Sequence, residues 1–213
     1  MADPPGLGHT YAPRRSACRH IAPDRAEPAD LLLSASLAIA PLAYLVADSV
    51  YAVRGWDDGD AGGLHVIAAI AYGFVLLRLA SWSHGRLQAA MLFAAIVGTA
   101  GSVAYGFNTI QVSLGAIDLV DTSGPGAIIK PLGLFFPIAL LLGAAILKQT
   151  GRVPSALLVG LSALAWPIAH IANIAWLAVA VNLALTAALV PLARTRPNAT
   201  QPPTPHTRSR EPV

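Results

Sequence analysis

The chain has 213 residues, of which 55% are hydrophobic and only 12% carry a charge. A soluble domain usually carries about 25% charged residues, so this composition excludes an ordinary soluble domain and predicts an integral membrane protein. The basic residues flank long apolar runs, where they indicate membrane topology rather than a nucleic-acid surface. We therefore expect the lipid bilayer as a partner and no nucleic acid. The single cysteine, Cys18, excludes an intramolecular disulfide.

Both ends of the chain lack apolar periodicity. Residues 1–28 are rich in Pro, Arg and Ala, and residues 195–213 contain five prolines among Arg, Thr and Ser. We expect both segments to be disordered cytoplasmic tails. The first apolar run, 31–53, is longer than the apolar region of a signal peptide, which has about 7–15 residues. It is therefore interpreted as a retained membrane helix.

Six apolar segments lie between the tails, and a helix that crosses a bilayer needs about 20 residues. The predicted spans are about 31–53, 63–82, 87–107, 128–147, 154–169 and 172–193. The last two come from one apolar run, divided near Pro167–Asn173 because proline interrupts a helix and His170 and Asn173 are polar. The predicted fold class is an all-α membrane protein, a six-transmembrane-helix bundle that forms one domain over 29–194.

Charge asymmetry predicts the orientation. With the N- and C-termini cytoplasmic, twelve of the 14 Lys and Arg residues lie on the cytoplasmic side, and only Arg54 and Lys130 lie outside. This distribution follows the positive-inside rule and indicates a multi-pass protein of the plasma membrane. Arg78 falls within the end of span two, and we expect its side chain to snorkel to the cytoplasmic interface.

The longest connection between spans, 108–127, is predicted on the outer side. Its residues 109–114 alternate between apolar and polar types, and we expect an interfacial or re-entrant segment that lies over the bundle. A turn at 121–126 would then lead into span four. Lys130 follows this turn and either pairs with Asp118 or Asp121 or anchors span four at the interface.

Span three has small residues at every fourth position: Ala90, Ala94, Gly98, Ser102 and Gly106. In lipid, such a face lets two helix backbones approach closely. We expect this face to pack within the chain. A partner protein or a second copy of the chain remains the alternative.

Asp48 lies inside span one, five residues before its predicted outer end, or about 7 Å deep at 1.5 Å per residue. A carboxylate at membrane depth faces the bundle interior as a rule and is a candidate functional residue. Tyr44 and Tyr51 share its helix face, so two phenols could hold the carboxylate or relay its proton. Asp48 is thus the candidate proton or cation carrier. The plainer interpretation is a carboxylate near the interface that reaches water or another helix.

Two histidines are predicted near the outer surface. His65 lies at the start of span two, on the same helix face as Tyr72, and His170 lies at the end of span five. Imidazoles and nearby carboxylates are ligands for transition metals, and two histidines on different helices can ligate a haem. His65 and His170 are therefore the candidate metal or haem ligands. Ordinary hydrogen-bonded interface histidines are the alternative, since the two do not have a ligand spacing within one helix.

Six carboxylates are expected on the outer side, namely Asp48, Asp57, Asp58, Asp60, Asp118 and Asp121. Such a face attracts cations, although a translocated loop depleted of positive charge has the same composition. Asn182, in the middle of span six, is expected to hydrogen-bond to another helix.

Three functions remain open from the sequence. The leading interpretation is a non-enzymatic membrane protein with an accessory or structural role. The second is a small proton- or ion-coupled transporter that uses Asp48, Tyr44 and Tyr51. The third is a membrane redox or metal-dependent enzyme with an outer His65/His170 site. No catalytic residue is assigned, because the sequence contains no nucleotide-binding loop, nucleophile elbow or zinc-protease motif.

Overall fold

A computed structural model describes residues 27–194, and six helices in this range are long and apolar enough to cross a membrane. No strand occurs among these described residues. The predictions for the two tails concern residues 1–26 and 195–213, which lie outside the described range together with Cys18. Pro28, placed in the first predicted tail, instead begins the first helix. The all-helical class and the six spans agree with the sequence.

Helix α1 covers Pro28–Arg54, α2 Gly59–Ala80, α3 Gly85–Ser113, α4 Ile129–Gly133, α5 Phe135–Gln149, α6 Val153–Ile171 and α7 Ala175–Leu189. The fourth span, Pro125–Gln149, begins with a 3-10 turn at Pro125–Ile128 and then contains α4 and α5. The sixth span continues from α7 through a second 3-10 turn at Val190–Arg194.

Local chemistry defines the turn between α1 and α2. Helix α1 ends before Gly55, whose φ of +97° is in the region that favours glycine. Asp58 then caps α2, because its side chain accepts a 2.9 Å hydrogen bond from the backbone N–H of Ala61. Arg54 pairs with both Asp58 and Asp60 at 2.8 and 2.9 Å. This turn is therefore short and fixed.

Helix α3 continues beyond its predicted end at residue 107 to Ser113, so part of the predicted connection 108–127 is helical. The alternation of apolar and polar residues does not reflect an extended chain here. Asn108 and Thr109 are buried against the bundle, and the Ser113 hydroxyl donates to the carbonyl of Ile110 within the helix. The connection proper covers 114–124.

The two last spans separate at 172–174, within the predicted segment Pro167–Asn173 and one residue beyond it. Pro167 lies inside α6 and does not end it. The turn instead occurs at Asn173, which has a φ of +54°, a conformation that asparagine tolerates better than most residues. Close packing of the neighbouring helices compensates for the proline.

The helices form a closed ring in the order α1, α2, α3, α5, α6 and α7, and α7 packs back against α1. Helices α2 and α5 also touch across the interior. Both ends of the described chain, with the connections 81–84 and 150–152, lie at one end of the bundle, here called the terminal end. The connections 55–58, 114–124 and 172–174 lie at the other end, here called the cavity end.

The small-residue face of α3 is used within the chain. Ala94, Gly98, Ser102 and Gly106 are buried, whereas Ala90 is exposed. A Cβ added at Gly98 would lie 2.4 Å from the backbone nitrogen of Phe136, so the backbones of α3 and α5 meet at this glycine. Gly106 meets the carbonyl of Gly62 on α2 in the same way, at 3.1 Å from an added Cβ. Small residues thus allow α3 to approach two neighbours.

The outward faces of the helices carry large apolar side chains. Examples more than half exposed, one from each of five helices, are Ile39, Ile67, Ile96, Leu161 and Leu183. A soluble protein rarely exposes so much contiguous apolar surface. The six apolar helices and this surface are compatible with a multi-pass membrane protein.

Arg78 differs from its predicted position. Its side chain is 5% exposed and forms a 2.9 Å ion pair with Asp30 of α1, so it does not snorkel freely. A 3.3 Å hydrogen bond to the Ser34 hydroxyl adds a second contact. Partial burial and the positive charge of Arg78 lower the pKa of the nearby Arg152 guanidinium from its usual value. Asp30 therefore balances positive charge at the terminal end.

Candidate functional site

A cavity of about 270 Å³ opens at the cavity end of the bundle. Its lining includes both predicted histidines, His65 and His170, and three aromatic side chains, Trp56, Tyr105 and Trp166. The carboxylates of Asp57, Asp118 and Asp121 and the ammonium group of Lys130 also line it. The cavity thus collects residues from α2, α3, α4, α6 and three connections.

Two turns are joined at the rim of the cavity by Trp56. Its indole N–H donates a 3.0 Å hydrogen bond to the backbone carbonyl of Asn173, in the turn between α6 and α7. The Trp56 ring stacks on Tyr51, with 5.0 Å between ring centres, and lies 5.6 Å from His170. The left-handed turn at Asn173 presents the carbonyl that holds this indole in place.

The connection 114–124 is held against α3 by Asn108. The Asn108 amide donates a 2.9 Å hydrogen bond to the Asp118 carboxylate, and its carbonyl oxygen accepts one from the backbone of Leu119 at 2.8 Å. Lys130 pairs with Asp121, which is one of its two predicted partners. The other predicted partner, Asp118, instead accepts a hydrogen bond from the Asn108 amide. This connection therefore forms one wall of the cavity, as a segment lying over the bundle.

Asp48 is fully buried beneath the cavity and is held by two other helices. Its Oδ2 atom accepts a 2.6 Å hydrogen bond from the side-chain amide of Asn182 on α7. The same oxygen lies 3.5 Å from the Nε2 atom of His170 on α6. Its other oxygen, Oδ1, has no hydrogen-bond partner among residues 27–194. The interhelical bond predicted for Asn182 is thus made to the most buried carboxylate.

Tyr44 and Tyr51 share the buried face of α1 with Asp48, as predicted, but they do not hold its carboxylate. The Tyr44 hydroxyl instead forms a 2.9 Å hydrogen bond with Nε2 of His65. The Tyr51 hydroxyl is buried and interacts with the side chain of Thr109 on α3. The proposed support of the carboxylate by two phenols is therefore replaced by an amide and an imidazole from α7 and α6.

The position of one hydrogen on His170 follows from its contacts. Its Nδ1 atom lies 3.0 Å from the backbone carbonyl of Trp166, and a carbonyl oxygen only accepts, so Nδ1 carries the hydrogen. The ring also stacks on the Trp166 indole, with 4.1 Å between ring centres and 18° between planes. These two contacts fix the ring so that Nε2 faces Asp48.

This orientation places Nε2 of His170 beside a carboxylate oxygen of Asp48 without a hydrogen bond between them. In a neutral imidazole with its hydrogen on Nδ1, the Nε2 atom has a lone pair, which would face the carboxylate oxygen of Asp48. A proton on either group would remove this repulsion, giving an imidazolium beside a carboxylate or a carboxylic acid beside an imidazole. The Asp48–His170 pair is buried, and His170 also lines the cavity.

The indole Nε1 of Trp166 is a buried polar atom beside the cavity and has no protein partner in the described range. His65 interacts with the backbone of Ser102, and the Ser102 hydroxyl interacts with Tyr44. Leaving a buried polar group without a partner costs about 1–3 kcal/mol. Such groups at a cavity wall are available to a bound molecule or to water.

The metal and haem hypotheses depend on whether the ring nitrogens of His65 and His170 are free to bind a ligand. Nε2 of His65 is bonded to Tyr44, and Nε2 of His170 faces Asp48. Coordination through either Nε2 atom would have to displace its protein partner. No group of three or more His, Cys, Asp or Glu residues suited to a metal occurs within 27–194. Each of the two Nε2 atoms thus has a protein group beside it.

Several residues of this site are not identified by the sequence analysis. Ser102 was considered only as a small packing residue, and the aromatic residues Trp56, Tyr105 and Trp166 resemble ordinary membrane side chains. The spacing of Trp166 and His170, four residues apart on one helix, was a usable signal, because such residues lie on one face. The approach of His170 on α6 and Asn182 on α7 to Asp48 on α1 could not be predicted from local spacing.

The Asp48–His170 pair and its cavity are accordingly described from this chain alone. Comparisons with protein-family models, with curated proteins and with solved structures returned no match.

Proposed function

We propose that this chain is a small membrane carrier that couples movement of a small solute through the cavity to protonation of the Asp48–His170 pair. The observation that carries the proposal is the 3.5 Å approach of His170 Nε2 to Asp48 Oδ2, with the other ring nitrogen already committed to a carbonyl. This interpretation extends the predicted role of Asp48 and adds His170 as its partner.

The free energy of this conformation should differ between the two protonation states of the pair. With the proton present, the lone-pair repulsion between His170 Nε2 and the Asp48 carboxylate is removed, and the pair has no net charge. Without it, a carboxylate with no solvent exposure faces a lone pair and retains only the Asn182 hydrogen bond. Uncompensated buried charges cost about 3–5 kcal/mol, an amount sufficient to shift a conformational equilibrium by more than a hundredfold. Release of the proton would therefore favour another arrangement of the helices.

A carrier also needs a barrier on the far side of its site. Below the pair, the rings of Tyr44, Tyr72 and Phe136 pack together, with ring centres 5.2–5.9 Å apart. Further along, the Arg78–Asp30 ion pair joins α2 to α1 at the terminal end. These contacts would form the barrier in one state of an alternating-access carrier.

The orientation that we infer from charge places the cavity on the outer side. Twelve of the 14 Lys and Arg residues belong to segments on the opposite side in that orientation. The proton and the solute would then enter from outside. The expected location is the plasma membrane, with both termini in the cytoplasm.

The test is uptake into proteoliposomes that contain the full chain, using labelled amines, amino acids, sugars and carboxylates under imposed pH gradients. The proposal predicts that uptake of at least one solute depends on the gradient and is abolished by a protonophore. Asp48→Asn should abolish the dependence while the protein stays folded. Ser36→Ala is the matched control, because Ser36 is also buried on α1 but bonds only to its own helix.

Two results would contradict the carrier. One is the absence of gradient-dependent uptake for every solute class. The other is unchanged uptake in a folded Asp48→Asn protein. Either result would return the chain to the accessory or structural role, in which the buried polar pair serves packing alone.

A further inference from the structure

We infer that the cavity binds a small organic cation that also carries a hydrogen-bond-accepting oxygen. The inference rests on the proposed function, because it names the class of solute for the same cavity. It follows from three separate features: the charges at the rim, the aromatic walls and the unpartnered N–H of Trp166.

The charges at the rim favour a positive ligand. Three carboxylates line the cavity against one ammonium group. Lys130 is paired with Asp121, and the amide of Asn108 supports Asp118 without neutralising its charge. Asp57 is exposed beside Trp56 at the mouth. A cleft lined mainly by one sign of charge attracts the opposite sign, so a cation is attracted to this cavity and an anion is repelled.

The aromatic walls suit the same ligand. Trp56, Tyr105 and Trp166 belong to a connection and two different helices, and all three line the cavity. Aromatic faces attract ammonium groups by about 0.5–2 kcal/mol, and pockets with several aromatic side chains bind quaternary ammonium ligands. The Trp56 ring is held by its stacking on Tyr51 and by its bond to Asn173. Little ordering of this side chain is therefore needed on binding.

The inner side of the cavity offers donors. The Trp166 indole N–H can only donate, and the Ser102 hydroxyl can donate or accept. Both side chains are at least nine-tenths buried. The Ser102 hydroxyl interacts with Tyr44, whereas the Trp166 N–H has no hydrogen-bond partner in the described part of the chain. A ligand oxygen beside Trp166 would satisfy this donor. An apolar ligand would leave it unpartnered, which is the basis of the selectivity we expect.

The size of the cavity limits the ligand. Pockets for drug-sized molecules have volumes of about 300–1,000 Å³, and this cavity has about 270 Å³. Small amines with one oxygen-containing group fit this volume. When the proton is present, the Asp48–His170 pair is neutral overall, so it does not oppose a neighbouring cation.

The experiment is isothermal titration calorimetry on the detergent-purified full chain, with no gradient. The probes are choline, tetramethylammonium and the uncharged isostere of choline, in which carbon replaces the ammonium nitrogen. Choline should bind at least about tenfold more tightly than its isostere, which corresponds to about 1.4 kcal/mol. Tetramethylammonium, which lacks the oxygen, should bind more weakly than choline.

Three variants locate the binding. Asp57→Asn and Trp56→Leu should weaken choline binding about fivefold, an effect expected for one charge or one aromatic face. Trp166→Phe removes the unpartnered N–H and should reduce the preference for choline over tetramethylammonium. Asp60→Asn is the matched control, since Asp60 lies in the same acidic segment, pairs with Arg54 and does not line the cavity. Its binding should equal that of the original chain.

The inference is overturned if the isostere binds as tightly as choline, or if neither cation binds at millimolar concentration. It is also overturned if Asp57→Asn and Asp60→Asn have equal effects. Cation binding without gradient-dependent uptake would support the inference and contradict the carrier. Gradient-dependent uptake of sugars or carboxylates alone would support the carrier and contradict the inference.

Discussion

The side-chain amide of Asn182 donates a 2.6 Å hydrogen bond to the carboxylate of Asp48 and so joins the last helix of the bundle to the first. The same amide group donates to the carbonyl of Ala178, one turn earlier on its own helix, at 3.3 Å. Both amide hydrogens are therefore used. This bond closes the ring of helices at the level of the buried carboxylate.

Replacement of Asn182 by Ala should destabilise the bundle by about 1–2 kcal/mol, because the carboxylate of Asp48 loses its shortest hydrogen bond. Thermal unfolding in detergent measures the change. Thr186→Val is the control, since the Thr186 hydroxyl bonds only to the carbonyl of Asn182 within α7. In the Asp48→Asn background the effect of Asn182→Ala should be smaller. Equal effects in both backgrounds would show that the bond does not contribute.

Two tyrosines on neighbouring helices should respond in opposite ways to loss of their hydroxyl groups. Tyr44→Phe removes the partner of His65 Nε2 and should lower stability by about 1–2 kcal/mol. Tyr72→Phe removes a buried hydroxyl that has no partner in the described range, so its stability should be unchanged or higher. Thermal unfolding of the two variants side by side makes the comparison. A larger loss for Tyr72→Phe would contradict the assigned hydrogen bond.

The ion pairs at the two ends of the bundle should differ in strength. Asp30→Asn leaves the guanidinium of Arg78, which is 5% exposed, without its carboxylate, and should cost about 1–2 kcal/mol after allowance for the exposure of Asp30. Asp60→Asn disrupts a pair in which both side chains are more than half exposed and should change stability by less than about 0.5 kcal/mol. Chemical unfolding in mixed micelles measures both. Similar values for the two variants would refute a structural role for Arg78.

Periodicity alone predicted much of this fold. The i, i+4, i+7 spacing of Tyr44, Asp48 and Tyr51 correctly placed all three on one buried face, because a helix repeats every 3.6 residues. The small-residue face of α3 likewise indicated close packing. Even the partner of Lys130 was among the two proposed, since only nearby carboxylates were in reach.

The contacts between distant helices could not be predicted in this way. Asn182 was expected to bond to another helix, but nothing in local spacing selects Asp48 as the acceptor. The closure of the ring by α7 against α1 decides that pairing. The same closure brings His170 to the carboxylate and leaves the phenol of Tyr44 to His65. Burial of Asn108 and Thr109 also extended α3 past the point where alternating polar residues suggested that it ended.

The protonation state of His170 is the most direct test, because the proton that it shares with Asp48 underlies the proposed coupling of proton and solute movement. Nitrogen-15 NMR of the histidine-labelled full chain in detergent, assigned with His170→Gln, reports the hydrogen on each ring nitrogen as pH is varied. The account predicts that Nδ1 carries a hydrogen and that Asp48→Asn changes the nitrogen-15 signals of the ring. A His170 ring protonated only on Nε2, or one unaffected by Asp48→Asn, would contradict it.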